Sequence, residues 1–218
     1  MDISISLDPA VGMNLAEYIN EINQLEGISI HCDVMRTSFV GRDAVTMDEY
    51  RYIMKKSFHP VDVHLMLGDI SDIVEASRGH LPRSICFHVE AVPSAAMMTR
   101  LLNGIKQQLG IQAGLAIDIN TPVNIDPNLL CACDVVTIMS VKAGKSGQIF
   151  DSRALEKVIE VKMIAPNARI IMDGGINTKN IAMVKDAGVD TAVAGNYVYS
   201  ADDRRAAVEQ LRYGSGSN

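Results

Sequence analysis

The chain has 218 residues, 48% of them hydrophobic and 21% charged, which is typical of a soluble globular protein. Its net charge of −6 argues against nucleic acid or an anionic membrane surface as the main partner. No apolar run approaches the ~20 residues of a membrane span, and no signal peptide is expected. Four cysteines in mostly apolar runs favour reduced, buried thiols and a cytoplasmic location.

Short β-rich runs alternate with amphipathic helical segments along the chain. The predicted strands are Ile3–Leu7, Ile28–Val34, Val61–Met66, Ser84–His88, Ala113–Ile117, Val135–Met139, Arg169–Met172 and Thr191–Ala194. The predicted helices are Asn14–Leu25, Met47–Lys56, Ile70–Arg78, Ser94–Leu109, Ser152–Met163, Thr178–Ala187 and Ala201–Leu211. Successive β-then-α units predict a parallel sheet, and eight strands are the number that closes into a barrel.

We therefore expect an α/β protein with a single (β/α)8 TIM barrel, with a doubly wound open sheet as the alternative. No Pro/Gly-rich linker divides the chain, which indicates one domain over residues 1–212. The composition of residues 213–218 predicts a flexible tail. In such barrels the functional side chains stand at the carboxyl ends of the strands and in the loops that follow.

Histidines and aspartates mark three of these strand ends. His31 and Asp33 share one face of the second strand, because side chains alternate with a period of two. His64 and Met66 share a face near the end of the third strand by the same alternation, and Asp173 follows the seventh strand. Two imidazoles and two carboxylates suit a divalent cation such as Zn, Fe, Mn or Co.

A single histidine on an apolar strand is more often a core residue that is simply hydrogen-bonded. The four residues together are a stronger signal. Without a cation, the buried like charges would cost several kcal/mol, and a metal ion removes that cost.

Several segments in consistent order and spacing carry a resemblance over nearly the whole chain. They are HCDVM (31–35), VDVHLM (61–66), FHVEA (87–91), IMSVKAG (138–144), GQIF (147–150), MDGGIN (172–177) and AGVDTAVAG (187–195). In these segments the chain resembles the ribulose-phosphate 3-epimerase family of phosphate-binding (β/α)8 barrels.

The resemblance implies that His31, Asp33, His64 and Asp173 bind one divalent metal ion. It also implies that Asp33 is the catalytic base and Asp173 the acid. Three methionines are expected to line the reacting centre, and they are Met35, Met66 and Met139.

Other residues carry weaker predictions. Ser4 matches a serine of the family that contacts substrate, with a solvated hydroxyl as the alternative. Glu90 is expected to support the metal site from outside, whereas His88 is interpreted as structural. The chain also departs from the family pattern at Asp118-Ile119, at Asn196 and over Arg36–Arg42, where the loop loses an acidic residue and gains two arginines.

Gly144-Lys145-Ser146 looks like the end of a nucleotide-binding P-loop, but that motif requires a glycine five residues earlier, where Met139 stands. The loop is instead expected to bind a sugar phosphate. The predicted phosphate-binding residues, from three barrel loops, are Gly144, Lys145, Ser146, Gly147, Gly174, Gly175, Gly195 and Asn196. Lys145 replaces a phenylalanine of the family and is either an added phosphate contact or a solvated lysine.

These observations predict a metal-dependent epimerase that inverts C3 of a ketose phosphate through a metal-stabilised enediolate. The expected reaction converts D-ribulose 5-phosphate to D-xylulose 5-phosphate. The alternatives are an epimerase of a six-carbon ketose phosphate, such as D-allulose 6-phosphate, and a non-catalytic sugar-phosphate-binding barrel. The expected partner is a small sugar phosphate, and the resemblance implies a homo-oligomer.

Overall fold

The computed structural model describes residues 1–213 and forms a closed barrel of eight parallel strands in chain order. The strands are β1 Asp2–Ser6, β2 Ile28–Met35, β3 Val61–Met66, β4 Ser84–His88, β5 Gln112–Ile117, β6 Val135–Met139, β7 Arg169–Asp173 and β8 Thr191–Ala194. The closed order confirms the single (β/α)8 barrel and excludes the open sheet. No predicted strand boundary is wrong by more than one residue.

The helices lie outside the barrel or in the loops above it. They are α1 Leu15–Ile22, α2 Thr37–Val40, α3 Met47–Lys56, α4 Ser71–Ser77, α5 Ala95–Leu109, α6 Pro127–Cys131, α7 Arg153–Ile164, α8 Ile181–Asp186, α9 Asn196–Tyr199 and α10 Arg204–Tyr213. Two short 3-10 helices cover Asp8–Ala10 and Val89–Ala91. None of the helices in residues 1–213 is long and apolar enough to cross a membrane.

Three short helices were not predicted: α2, α6 and α9. Four or five residues are too few to show a helical period, so local interactions decide them. Asp126 caps α6, for example, by accepting a hydrogen bond from the backbone of Asn128.

The last helix begins later than predicted because Asp203 accepts the backbone N–H of Ala206, which places the cap at Asp203. It also ends later, since Tyr213, expected to begin the tail, is the last residue of α10. The remainder of the predicted tail, residues 214–218, lies outside the described residues.

Alternate side chains of each strand face the inside and the outside of the barrel. The outward side chains pack beneath the helices as one large apolar core. The inside holds a small apolar cluster at mid-height, formed by Cys86, Val135, Ile171 and Val193. Polar side chains occupy the barrel above and below this cluster.

The register of the strands brings the predicted site residues to one level. Asp33 pairs with His64 between β2 and β3, and Met35 pairs with Met66 one step higher. Met139 pairs with Asp173 between β6 and β7. Backbone pairing alone therefore gathers these side chains at the carboxyl end of the barrel.

Candidate active site

The four predicted metal ligands meet inside the carboxyl end of the barrel. Nε2 of His31 lies 3.3 Å from Oδ1 of Asp33 and 3.6 Å from Oδ2 of Asp173. Nδ1 of His64 lies 3.1 Å and 3.4 Å from the same two oxygens. The two imidazole nitrogens are 3.3 Å apart. Four potential ligand atoms thus surround one point.

These distances fit a tetrahedral cation site. Nitrogen and oxygen ligands at 2.0–2.2 Å from a tetrahedral ion are separated from one another by about 3.3–3.6 Å. The five measured separations in the cluster run from 3.1 to 3.6 Å. Two nitrogens and two carboxylate oxygens are also the donor set that zinc and the neighbouring divalent metals accept. The residues present therefore fit a single divalent cation.

The carboxylates and imidazoles shift one another's protonation strongly. Burial would raise the pKa of Asp33, but the adjacent rings of His31 and His64 hold it well below its usual range. Burial would lower the pKa of His31, yet Asp33 and Asp173 raise it well above its usual range. The pKa of Asp173, which burial would also raise, is lowered by the same two rings. Without a cation, the two imidazoles therefore favour the ionised form of both aspartates, and the aspartates favour the protonated form of the imidazoles.

A serine orients one of the aspartates, and it is not Ser4, which was predicted to contact substrate. Ser6 donates a hydrogen bond from Oγ to Oδ2 of Asp33 at 2.9 Å and lines the cavity. Ser4 lies in the middle of β1 rather than at its end. It is fully buried, and its Oγ has no hydrogen-bond partner within residues 1–213. The serine at the end of the strand is Ser6, two residues beyond Ser4.

A cavity of about 330 Å³ opens directly above the cluster. Its inner rim includes Met35, Met66 and Met139, all nearly inaccessible to solvent. These side chains form an apolar and polarizable surface beside the carboxylates of Asp33 and Asp173. The structure therefore brings the three methionines to the position that the sequence predicted.

All eight predicted phosphate-binding residues line the same cavity. Gly147 adopts a φ of +75°, and a Cβ there would lie 2.6 Å from Nδ2 of Asn196. Gly175 adopts a φ of +62°, and its Cβ would lie 2.6 Å from the backbone nitrogen of Phe150. Glycine is thus required where the loops after β6, β7 and β8 approach one another, which forms one concave wall.

Sequence reasoning missed a contact across the mouth of the cavity. Arg42, from the loop after β2, binds Oδ1 of Asp8 and also donates to the carbonyl oxygen of Gly144. Asp8 lines the cavity, and burial together with the nearby charge of Asp33 raises its pKa. The extra arginine of the loop was visible in the sequence. Its partner, 34 residues earlier, was not.

Outside the cluster, the structure changes the interpretation of His88. Its Nε2 lies 3.0 Å from Nε2 of His64, and its Nδ1 lies 2.7 Å from Oε2 of Glu90. Glu90 was expected to support the site, and the structure shows that it reaches the cluster only through His88. The histidine interpreted as structural therefore contacts a predicted metal ligand.

A (β/α)8 barrel with two imidazoles, two carboxylates and a glycine-lined cavity at its carboxyl end defines a class of enzymes that act on phosphorylated small molecules. Comparison with known proteins narrows this class. The model of the ribulose-phosphate 3 epimerase family matches residues 2–199. The chain belongs to that family and is an isomerase of the type that acts on carbohydrates, which sets aside the non-catalytic barrel.

Individual relatives agree with this assignment. The ribulose-phosphate 3-epimerase of Helicobacter pylori strain 26695 is 31% identical over 216 residues, covering 97% of each chain. The Bacillus subtilis enzyme of that name is also 31% identical, covering 88% of this chain and 91% of its own. The solved structure of KGPDC from Streptococcus mutans superimposes with a TM-score of 0.66 at 10% identity, covering 97% of this chain and 95% of its own. That likeness shows the fold alone.

Proposed function

We propose that this chain is a metal-dependent epimerase that inverts C3 of a ketose phosphate and interconverts D-ribulose 5-phosphate and D-xylulose 5-phosphate. One observation carries the proposal. The carboxylates of Asp33 on β2 and Asp173 on β7 both lie within 3.1–3.6 Å of the same two imidazole nitrogens. Because β8 and β1 separate these strands in the barrel, the two carboxylates approach the centre from different directions.

Inversion at C3 requires a base that removes a proton from one face of the carbon and an acid that returns a proton to the other. Two carboxylates that approach from different strands can do this without the substrate turning over. We assign Asp33 as the base and Asp173 as the acid, which has to take up a proton before it can return one to C3. The hydrogen bond from Ser6 holds Oδ2 of Asp33, so the base has a fixed orientation.

When bound by the four cluster residues, a divalent cation supplies Lewis-acid polarisation of the substrate carbonyl. The chain's own side chains supply the surroundings. Met35, Met66 and Met139 exclude water from the deprotonated carbon without offering it a competing proton. The loops after β6, β7 and β8 would hold the phosphate through backbone N–H groups and Asn196. A homo-oligomer and a cytoplasmic location stay predictions.

The experiment is proton exchange in D2O, measured by NMR with purified protein and D-ribulose 5-phosphate. We expect deuterium at C3 together with formation of D-xylulose 5-phosphate, and loss of both when a chelator removes the metal. Asp173→Asn should lower the rate about 10²- to 10⁴-fold, while the surface control Asp202→Asn keeps it. Full activity after chelation or in Asp173→Asn would exclude the two-carboxylate metal mechanism.

The Arg42–Asp8 contact favours one further candidate substrate. It lies in a loop that departs from the family pattern and bounds the mouth of the cavity. A changed mouth can select a longer sugar, so a six-carbon ketose phosphate such as D-allulose 6-phosphate is the second candidate. The ratio of kcat/KM on the five- and six-carbon substrates decides between them.

A further inference from the structure

A line of hydrogen bonds runs outward from the cluster of His and Asp side chains to residues on and after β4. His64 faces the cluster with Nδ1 and faces Nε2 of His88 with its own Nε2 at 3.0 Å. His88 then meets Oε2 of Glu90 at 2.7 Å through Nδ1. The other oxygen of Glu90 accepts the backbone N–H of Asp118 at 2.9 Å.

The carboxylate at the outer end determines where the protons lie. An ionised carboxylate only accepts hydrogen bonds, so the proton between Glu90 and His88 belongs to Nδ1 of the histidine. Despite burial, the contact with His88 holds the pKa of Glu90 at about 2, which keeps it ionised. Because Oε1 already accepts the backbone N–H of Asp118, both oxygens of Glu90 act as hydrogen-bond acceptors and neither donates.

The proton on Nδ1 of His88 sets the state of the next ring. A neutral imidazole that donates through Nδ1–H carries its lone pair on Nε2, which here faces His64. The two Nε2 atoms are 3.0 Å apart, the ring centres are 5.0 Å apart and the ring planes differ by 21°, so the two nitrogens face each other at hydrogen-bond distance. His64 therefore donates through Nε2–H, and its Nδ1, which faces Asp33 and Asp173, is the nitrogen whose lone pair a cation in the cluster would take.

His31 provides an internal contrast. It also turns one nitrogen, Nε2, toward the cluster. Its other nitrogen, Nδ1, is buried and has no hydrogen-bond partner within residues 1–213. Neighbouring side chains outside the cluster thus fix the position of the proton on His64. For His31, only the groups of the cluster contact a ring nitrogen.

We propose that Glu90 and His88 are positioning residues that hold the proton of His64 on Nε2, so that its Nδ1 is presented to a divalent cation. The inference rests on the metal site of the proposed function. It assigns the role of a remote carboxylate that never touches the metal or the substrate. Histidine ligands are commonly oriented through their second nitrogen; here the orientation passes through a second ring.

Glu90→Gln is the informative substitution because it changes proton placement with almost no change of shape. The amide oxygen would take the N–H of Asp118, which turns the NH2 group toward Nδ1 of His88. His88 would then carry its proton on Nε2 and face the N–H of His64 with a second N–H. Relief of that conflict moves the His64 proton onto Nδ1, where it opposes the cation. Glu90→Ala only removes the constraint and leaves either arrangement accessible.

The experiment measures zinc affinity by competition with a chelator, on purified full-length protein and three variants. We expect Glu90→Gln to bind zinc about 10- to 100-fold more weakly than the wild type, with Glu90→Ala between them. Asp118→Asn is the control, because it removes a neighbouring charge but keeps the backbone N–H; it should bind like the wild type. A purely structural role for Glu90 gives the opposite order, with alanine the worse substitution.

A second measurement uses only the wild-type protein, so it does not depend on whether the variants fold. Nitrogen-15 NMR of histidine-labelled, zinc-loaded wild type should show protons on Nε2 of His64 and on Nδ1 of His88. The inference would be overturned if Glu90→Gln bound zinc as tightly as the wild type, or if Glu90→Ala bound it more weakly than Glu90→Gln. It would also be overturned if Asp118→Asn lost as much zinc affinity as Glu90→Gln, or if NMR placed the His88 proton on Nε2. A wild type that binds no zinc refutes the metal site itself, whereas tight zinc binding with an unaffected Glu90→Gln refutes only the proton placement.

Discussion

The two ends of the barrel handle buried charge in opposite ways. At the amino end, Asp62 on β3 is almost completely buried and accepts hydrogen bonds from three donors. Arg83 binds it from the loop before β4, Arg169 reaches it from β7, and Ser84 donates to Oδ1 at 2.5 Å. The carboxylate is fully matched by fixed cations of the chain.

At the carboxyl end, two carboxylates stand close together with no lysine or arginine of residues 1–213 paired to them. The groups between Asp33 and Asp173 are imidazoles, whose charge depends on a bound proton. A cluster of this kind is favourable only with protons or with a metal ion at its centre. The amino end therefore carries its own counter-charges, whereas the carboxyl end can accept either protons or a cation.

The largest expected difference between the two ends is the effect of zinc on the stability of variants changed at each end. At a free zinc concentration about 1,000 times the dissociation constant, binding adds about 4 kcal/mol to the free energy of unfolding. For a chain of this size the melting temperature should rise by about 8–16 °C. Asp173→Ala should abolish the rise, and Asp62→Asn, which changes the amino end, should keep it. Calorimetry with and without zinc measures both.

Two results would contradict this assignment of zinc to the carboxyl end. An equal zinc-induced rise in Asp173→Ala would place the metal away from the carboxyl end. Loss of the rise in a folded Asp62→Asn variant would couple the two ends through the barrel interior.

The amino end should show its effect in stability and pH rather than in catalysis. Although burial would raise it, the pKa of Asp62 is lowered from 3.8 to about 2 by Arg83 and Arg169. A lowered pKa stabilises the fold above the unfolded value and loses that effect as the pH falls through the folded value. The contribution is about 2 kcal/mol at neutral pH. Asp62→Asn should lose it, with kcat changed less than about twofold.

Denaturant unfolding of the wild type and Asp62→Asn between pH 7 and pH 2 measures this contribution. The difference in the free energy of unfolding should be constant above about pH 5 and should fall to a small fraction of that value near pH 2. A difference that does not change with pH would show that the asparagine acts through packing and not through the charge.

The alternation of side chains explains how much of the site the sequence could predict. His31, Asp33 and Met35 share a face because strand geometry fixes it locally, and the same parity places His64 with Met66. Counting eight strands then closes the barrel and brings these ends together. The side-chain alternation and the number of strands are thus enough to predict most residues of the cluster.

Depth and partner choice are not contained in the local pattern. Ser6 lies level with His31 because β1 pairs with β2 in that register, and this pairing places Ser4 one layer below. His88 could be recognised only through the ring of His64 on the neighbouring strand. The Arg42–Asp8 contact joins two loops whose conformations depend on each other. Each miss depends on a distance between segments that no sequence period encodes.

The smallest expected effect is on substrate affinity, and it tests whether the proposed phosphate site includes Lys145 in the loop after β6. Lys145 lines the cavity and is exposed, in a loop whose glycines face the proposed phosphate site. An exposed charge near a phosphate stabilises the complex by about 0.2–1 kcal/mol. Lys145→Ala should therefore raise KM about one and a half- to fivefold and leave kcat unchanged. Added salt should shrink the difference, since screening weakens exposed charges. Lys185→Ala, on the outer helix α8, is the matched control for loss of one positive charge. If KM of Lys145→Ala equals that of the control at low salt, Lys145 is a solvated loop residue, and the phosphate site ends at the glycines.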